Sequence, residues 1–199
     1  MAELAWSAAQ RGATWLRARL REDGSLESGD DLRAYYKTAI AFHVSGHPRE
    51  AHRVLKHVER RYLRDGGDLD GAGVPWFGIY RTYPHAWLCC SAVIAGRFEL
   101  ARALHGFLAT YHDPASGGFF ADEARTQQEI MTTSMAALAC LWAGDRARAE
   151  AAADWLERLY AAQPDLSRGL FTNTDANGLI TSREEAGWFV NAAQPKQWY

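Results

Sequence analysis

DDLRAYYKTAIAFHVSGHPREAHRVLKHVERRYLRD, residues Asp30 to Asp65, decides how this chain is read. It reads as a helix, a glycine-containing corner at Ser45-Gly46-His47-Pro48, and a second helix running back. The unit recurs as TYPHAWLCCSAVIAGRFELARALHGFLATYHD (Thr82 to Asp113) around Gly96, and as EIMTTSMAALACLWAGDRARAEAAADWLERLYAAQPD (Glu129 to Asp165) around Gly144. Each corner glycine has an alanine five residues on, at Ala51, Ala101 and Ala149, and each second helix ends near an Asp followed by Gly. A repeat of about 50 residues built from helix pairs marks a helical array or a closed helical toroid.

Within each pair the two helices differ in kind. The first is apolar nearly all round, as in Tyr83 to Ala95 and Ile130 to Ala143. The second is amphipathic, with an outer stripe such as Arg49, Glu50, Arg53, Lys56, Glu59 and Arg60. A helix apolar on every side lies between layers, and one with a charged stripe faces water. The expectation is therefore an all-α fold, a double-layered α/α toroid with first helices inside and second helices outside, as one domain over 1–199. Its parts are a half hairpin at 3–22, hairpins at 30–65, 82–113 and 128–163, and the start of a further inner helix at 184–199. In the half hairpin, Leu4, Ala8, Trp15, Leu16 and Leu20 read as the apolar side. Glycine-rich connections enter the N-terminal ends of the inner helices and crowd one rim. Three and a half hairpins do not close a ring, which implies a continuation of the chain or a second copy that completes it.

Bulk properties narrow the classes. A chain of 199 residues, 48% hydrophobic and 23% charged, is long and apolar enough to bury a core. A net charge of -2 gives no reason to expect nucleic acid or an anionic membrane as partner. No apolar run approaches the roughly 20 residues that span a bilayer, and the N-terminus lacks signal-peptide order, so a cytoplasmic protein without membrane insertion is expected. Cys89, Cys90 and Cys140 lack metal-type spacing and read as buried reduced thiols. The remaining histidines are scattered over corners and outer helices, His52 and His57 do not share a helical face well, and no metal or cofactor is expected.

At the level of motifs the repeats resemble the terpenoid cyclase and protein prenyltransferase toroid superfamily. Asp31-Leu-Arg-Ala-Tyr-Tyr36 is similar to the inner-helix openings of prenyltransferase repeats. Gln163-Pro-Asp-Leu-Ser-Arg-Gly169-Leu-Phe171 is similar to the Gln-to-Gly-x-Trp turn of squalene-type cyclases, with Phe in place of Trp. The resemblance implies an α/α toroid and a small-molecule pit. It does not carry the cyclase acid across: of the Asp-x-Asp-Asp motif only Asp68-Leu-Asp70-Gly71 is present, with Gly at the last carboxylate. Nor does it imply the prenyltransferase zinc, because no Asp stands at the right distance before Cys89 and no His follows in the next inner helix.

Superposing the hairpins on their corner glycines gives tiers of equivalent residues. Fifteen before the glycine lie Asp31, Arg81 and Glu129; thirteen before, Arg33, Tyr83 and Met131; eleven before, Tyr35, His85 and Thr133; nine before, Lys37, Trp87 and Met135. Around a central pit these tiers supply acid, base and aromatic walls for general acid–base chemistry. Asp31, His85 and Glu129 are the proton-transfer candidates. Substrate contacts are expected from Arg33, Tyr35, Tyr36, Lys37, Arg81, Gln128 and Met131, and from the aromatic Trp76, Tyr80, Tyr83 and Trp87. Trp188 and Asn191 belong to the fourth inner position. The plain alternatives are N-capping for Asp31 and Glu129, core packing for His85, and structural ion pairing for Arg33 and Lys37.

Three functions fit. The first is a terpenoid-cyclase-like enzyme that cyclises, isomerises or eliminates a largely apolar small molecule. The second is a carbohydrate-active α/α-barrel hydrolase, lyase or epimerase, and the third a non-catalytic repeat scaffold. A terpenoid pit should be deep and lined by Tyr36, Trp87 and Met131. A sugar site should be open, with exposed tryptophan platforms.

Overall fold

The computed structural model describes residues 2–27, 31–182 and 185 of the chain. Three helical hairpins follow one another. The inner helices are α2 (Thr38–Val44), α4 (Tyr83–Ile94) and α6 (Ile130–Ala143), and the outer ones α3 (Pro48–Arg61), α5 (Phe98–Ala109) and α7 (Arg146–Ala161). They are preceded by α1 (Ala2–Arg17). Each inner helix packs on its own outer helix, and α4 also lies between α2 and α6. This is the helical toroid architecture read from the repeats.

The corners show why the glycines recur. Gly46, Gly96 and Gly144 all adopt left-handed backbone, with φ of 86°, 69° and 84°. In each, the residue after the glycine donates its N–H across the turn: His47 to Phe42 O, Arg97 to Ala92 O and Asp145 to Cys140 O, all at 2.8 Å. These bonds are those of a Schellman cap, which satisfies the last carbonyls of one helix while redirecting the chain into the next.

A second glycine serves each long connection. Gly24, Gly67 and Gly117 press against the carbonyls of Arg53, Ala103 and Ala151, and a Cβ at these positions would stand 2.1, 1.9 and 2.5 Å from those oxygens. Each turn is thus seated on the outer helix of the following hairpin. Two arginines reinforce the seats, Arg60 donating to Asp23 O and Arg158 to Ser116 O.

The core lies between the two helical layers and is built from Leu32, Phe42, Val54, Leu55, Leu88, Leu104 and Leu108, all nearly inaccessible. Cys89, Cys90 and Cys140 are buried and unpaired, and burial pushes the Cys89 thiol up to about 12. Among the described residues no helix is long and apolar enough to cross a membrane.

Three features differ from the sequence reading. The first inner helix is not continuous from Asp31: a 3-10 turn (Leu32–Ala34) precedes a helix of only 7 residues. Asp31 caps that turn through the N–H of Arg33, and tight i to i+3 bonds carry on through Tyr35 to Thr38. In α1 the side facing the core is Gln10, Ala13 and Leu16, continued by Leu20 beyond its end, whereas Leu4, Ala8 and Trp15 are exposed. A small antiparallel sheet, β1 (Gln128–Glu129), β2 (Asn173–Asp175) and β3 (Gly178–Leu179), was not foreseen in an all-α chain. The segments 183–184 and 186–199, holding most of the expected fourth inner helix with Trp188 and Asn191, lie outside the described residues.

Candidate functional site

At the N-terminal rim of the inner helices five aromatic rings form a basin. Tyr83 and Trp87 stand one turn apart on α4, with ring centroids 6.2 Å apart. Tyr36, from the turn that leads into α2, packs edge-on to Tyr83 and to Trp76, both at 5.9 Å. Trp76 and Tyr80, in the connection before α4, complete the wall. Into this ring reaches Lys37, whose Nζ lies 5.3 Å from the Tyr36 and Tyr83 centroids and 5.2 Å from that of Trp87. Its residue is exposed, and among the described residues no carboxylate pairs with it. The indole Nε1 of Trp87 is buried without a hydrogen-bond partner. Six of the residues singled out in the sequence therefore come together here: Tyr36, Lys37, Trp76, Tyr80, Tyr83 and Trp87.

The tier eleven residues before each corner does something else. Tyr35 and His85 are wholly buried and face the outer helices: Tyr35 stacks on His57 (4.8 Å), and His85 on Phe107 (4.3 Å, planes within 13°). All three members of the tier secure the preceding turn. The Leu26 N–H donates to Tyr35 Oη (3.1 Å), and the Phe119 N–H to Thr133 Oγ1 (3.1 Å). In the middle hairpin the link runs through Asp68, whose Oδ1 accepts from the Leu69 N–H (2.6 Å) and lies 3.4 Å from His85 Nε2. The expected places of Tyr35 and His85 on the pit wall are thus corrected. The helix is turned so that this position points into the interlayer core.

Charge follows the same plan. Arg81, also buried, binds Asp68 at 2.6 Å and lies over Phe77 and Phe107. Burial alone would raise the Asp68 carboxyl, but the contacts with His85 and Arg81 and the guanidinium charge bring it down to about 2. His85 is pushed below its ordinary value, first by burial and then by Arg81, although Asp68 pulls the other way. Its Nδ1 is 3.0 Å from Arg81 O, so two acceptors flank a ring that carries one proton when neutral.

The remaining candidates are dispersed. Asp31 holds Arg33 in a close pair (2.6 Å), and that hydrogen bond keeps its carboxyl below the usual range. Glu129 is buried and caps α6 through the Thr132 N–H (2.8 Å); burial raises its carboxyl against the pull of these backbone bonds. Gln128 is buried as well, bonded to Asp113 (3.0 Å) and Ser116 (2.6 Å). Met131 is exposed on α6, 39% accessible. Asp31, His85 and Glu129 share no partner, and each has a local structural task.

One cleft has no counterpart in the sequence reading. About 600 Å³ in volume, it lies between the 113–126 connection, the end of α7 and the β2–β3 hairpin, with Asp113, Arg125, Gln128, Trp155 and Asp175 in its wall. Its walls come from segments far apart in the chain, and no spacing rule connects them.

Helical hairpins arranged with an inner and an outer layer define the class, an α/α toroid. No family model and no curated protein matches the chain. Among solved structures the fold is similar to the GH76A alpha-1,6-mannanase from Salegentibacter sp. HEL1_6, with a TM-score of 0.55 and 13% sequence identity. The likeness covers 85% of this chain and 56% of that one, so the chain spans little more than half the length of its structural neighbour. At this identity the likeness is one of fold, and it does not single out the terpenoid cyclase and prenyltransferase branch of toroids.

Proposed function

We propose that the chain is a carbohydrate-recognising α/α toroid whose aromatic basin binds a saccharide carrying a carboxylate. The observation that supports this reading is Lys37, an ammonium held among three rings with no carboxylate partner among the described residues. Aromatic faces suit the apolar faces of sugar rings and leave the hydroxyls to water and polar neighbours. An ammonium beside them suits an anionic substituent, which it reaches by a charge-assisted hydrogen bond. Trp87 Nε1, buried and without a partner among the described residues, would become a further donor if the rings part to admit a ligand. The fixed positive charge also weighs against cyclisation of a terpenoid: a carbocation forming in this basin would be repelled by the lysine that occupies its aromatic cage.

The test is titration calorimetry with a uronate-containing oligosaccharide and a neutral one of the same linkage. The acidic sugar should bind more tightly, and the difference should shrink at high salt. Lys37→Met should weaken only the acidic ligand, by about tenfold for about 1.4 kcal/mol lost, whereas Trp87→Ala should weaken both. Binding of neither sugar, with binding of a polyprenyl diphosphate instead, would overturn the reading.

A further inference from the structure

At the opposite end of the inner helices three metal-binding side chains converge. His105 of α5, Cys140 near the end of α6 and Asp145, the N-cap of α7, offer a ring nitrogen, a sulfur and a carboxylate oxygen that all lie within 4.8 Å of one another. The corner makes this possible. Left-handed Gly144 turns the chain so that the Asp145 N–H meets Cys140 O, which returns the aspartate side chain to the level of the cysteine. His105 arrives from the neighbouring outer helix, so three elements contribute one ligand each.

The ring of His105 and the carboxylate of Asp145 already stand close together. His105 Nε2 is 3.2 Å from Asp145 Oδ2, yet this nitrogen is buried and makes no hydrogen bond of acceptable geometry. The ring nitrogen, the cysteine sulfur and the carboxylate thus face a common space. Arg148 pairs with the same carboxylate, and its N–H donates to Asp145 Oδ1 (3.3 Å), which orients the aspartate in the way a hydrogen-bonding partner supports a metal ligand. A cleft of about 400 Å³, lined in part by His105, Trp142 and Gly144, lies beside the cluster.

We propose that His105, Cys140 and Asp145 form a zinc site with three protein ligands and an open fourth position. The mixed nitrogen, sulfur and oxygen set suits Zn²⁺. Tetrahedral bonds of about 2.0 Å to nitrogen and 2.3 Å to sulfur put ligand atoms roughly 3.3–3.6 Å apart. The His–Asp pair already stands at such a spacing, and the sulfur lies within 4.8 Å of both. As the Zn–S bond forms, the thiol proton passes to buffer and no electron is transferred. A water entering from the cleft completes the tetrahedron. The ion would fasten α5 to the corner between α6 and α7, independently of what the aromatic basin binds.

The experiment is a Co²⁺ titration of the chelator-treated full chain, followed by displacement with Zn²⁺. One Co²⁺ per chain, with thiolate-to-metal charge-transfer absorption and tetrahedral ligand-field bands, is the expected result. Cys140→Ser should abolish the charge-transfer band, and His105→Gln should raise the Kd for Zn²⁺ more than about tenfold, both with unchanged circular dichroism. Cobalt bound without a thiolate band, or with equal Kd in the wild type and His105→Gln, would overturn the proposal. Should Cys140→Ser fail to fold, His105→Gln carries the test through the Zn²⁺-induced rise in Tm. That rise should be present in the wild type and lost in the variant, and its absence from the wild type would equally overturn the proposal.

Discussion

At the scale of single residues, glycines with similar backbone do different work. A Cβ on Gly96 would meet nothing within 4 Å, so its cost is conformational alone. Left-handed backbone costs an L residue about 1–2 kcal/mol. Gly96→Ala should therefore lower Tm by a few degrees in a chain of this size, given roughly 2–4 °C per kcal/mol. In Gly67→Ala the same strain is joined by a methyl 1.9 Å from the Ala103 oxygen, so the turn must leave its seat. Thermal melts of the two variants should show a much larger loss for Gly67→Ala, and equal losses would contradict the close approach. The Asp68 carboxyl makes a second prediction. Held near about 2 when folded against 3.8 as its ordinary value, it stabilises the fold fully above pH 4 and loses that contribution as pH falls toward 2. Tm followed from pH 5 to 2 should fall less steeply in Asp68→Asn than in the wild type.

At the scale of elements, the corner glycines, the alanines five residues on and the contrast between apolar and amphipathic helices were enough to place all three hairpins. The tiers were also equivalent as read: Tyr35, His85 and Thr133 do perform one task in three hairpins. What the sequence did not disclose was helix rotation. On a helix apolar all round, nothing local distinguishes the side facing the lumen from the side facing the outer layer, and packing against neighbours decides. Residues two apart differ by about 200° around a helix, so Tyr83 and Trp87 could line the basin only if His85 pointed away. That aromatic rings gather at this rim was legible because they cluster at one helix start and one connection. The separation of Asp31, His85 and Glu129 was not, because a capping carboxylate and one facing a pit look alike in sequence. The sheet escaped notice because Asn173-Thr-Asp175 is short and polar, without strand alternation.

At the scale of the whole molecule, the two rims have separate chemistries. One gathers the aromatic basin and its lysine; the other holds the His105–Cys140–Asp145 cluster, about 20 Å away by the length of α6. If the two proposals describe independent sites, Zn²⁺ should leave the Kd for an acidic oligosaccharide unchanged while raising Tm. Calorimetry with and without the metal checks this, and a shift in Kd would reveal coupling between the rims. Apolar residues also stand exposed at both ends of the described array, Leu4, Trp6 and Trp15 on α1 and Leu138, Leu141 and Trp142 on α6.

The seats of Gly24, Gly67 and Gly117 have a mechanical consequence. Because each turn rests on the hairpin that comes after it, the units overlap in one direction, like tiles laid from one edge. A tile can be lifted only after the one lying over it has gone. Pulled from its ends, such a molecule should yield in discrete steps rather than as one block. With a repeat of about 50 residues, each step should release about 17 nm of extended chain.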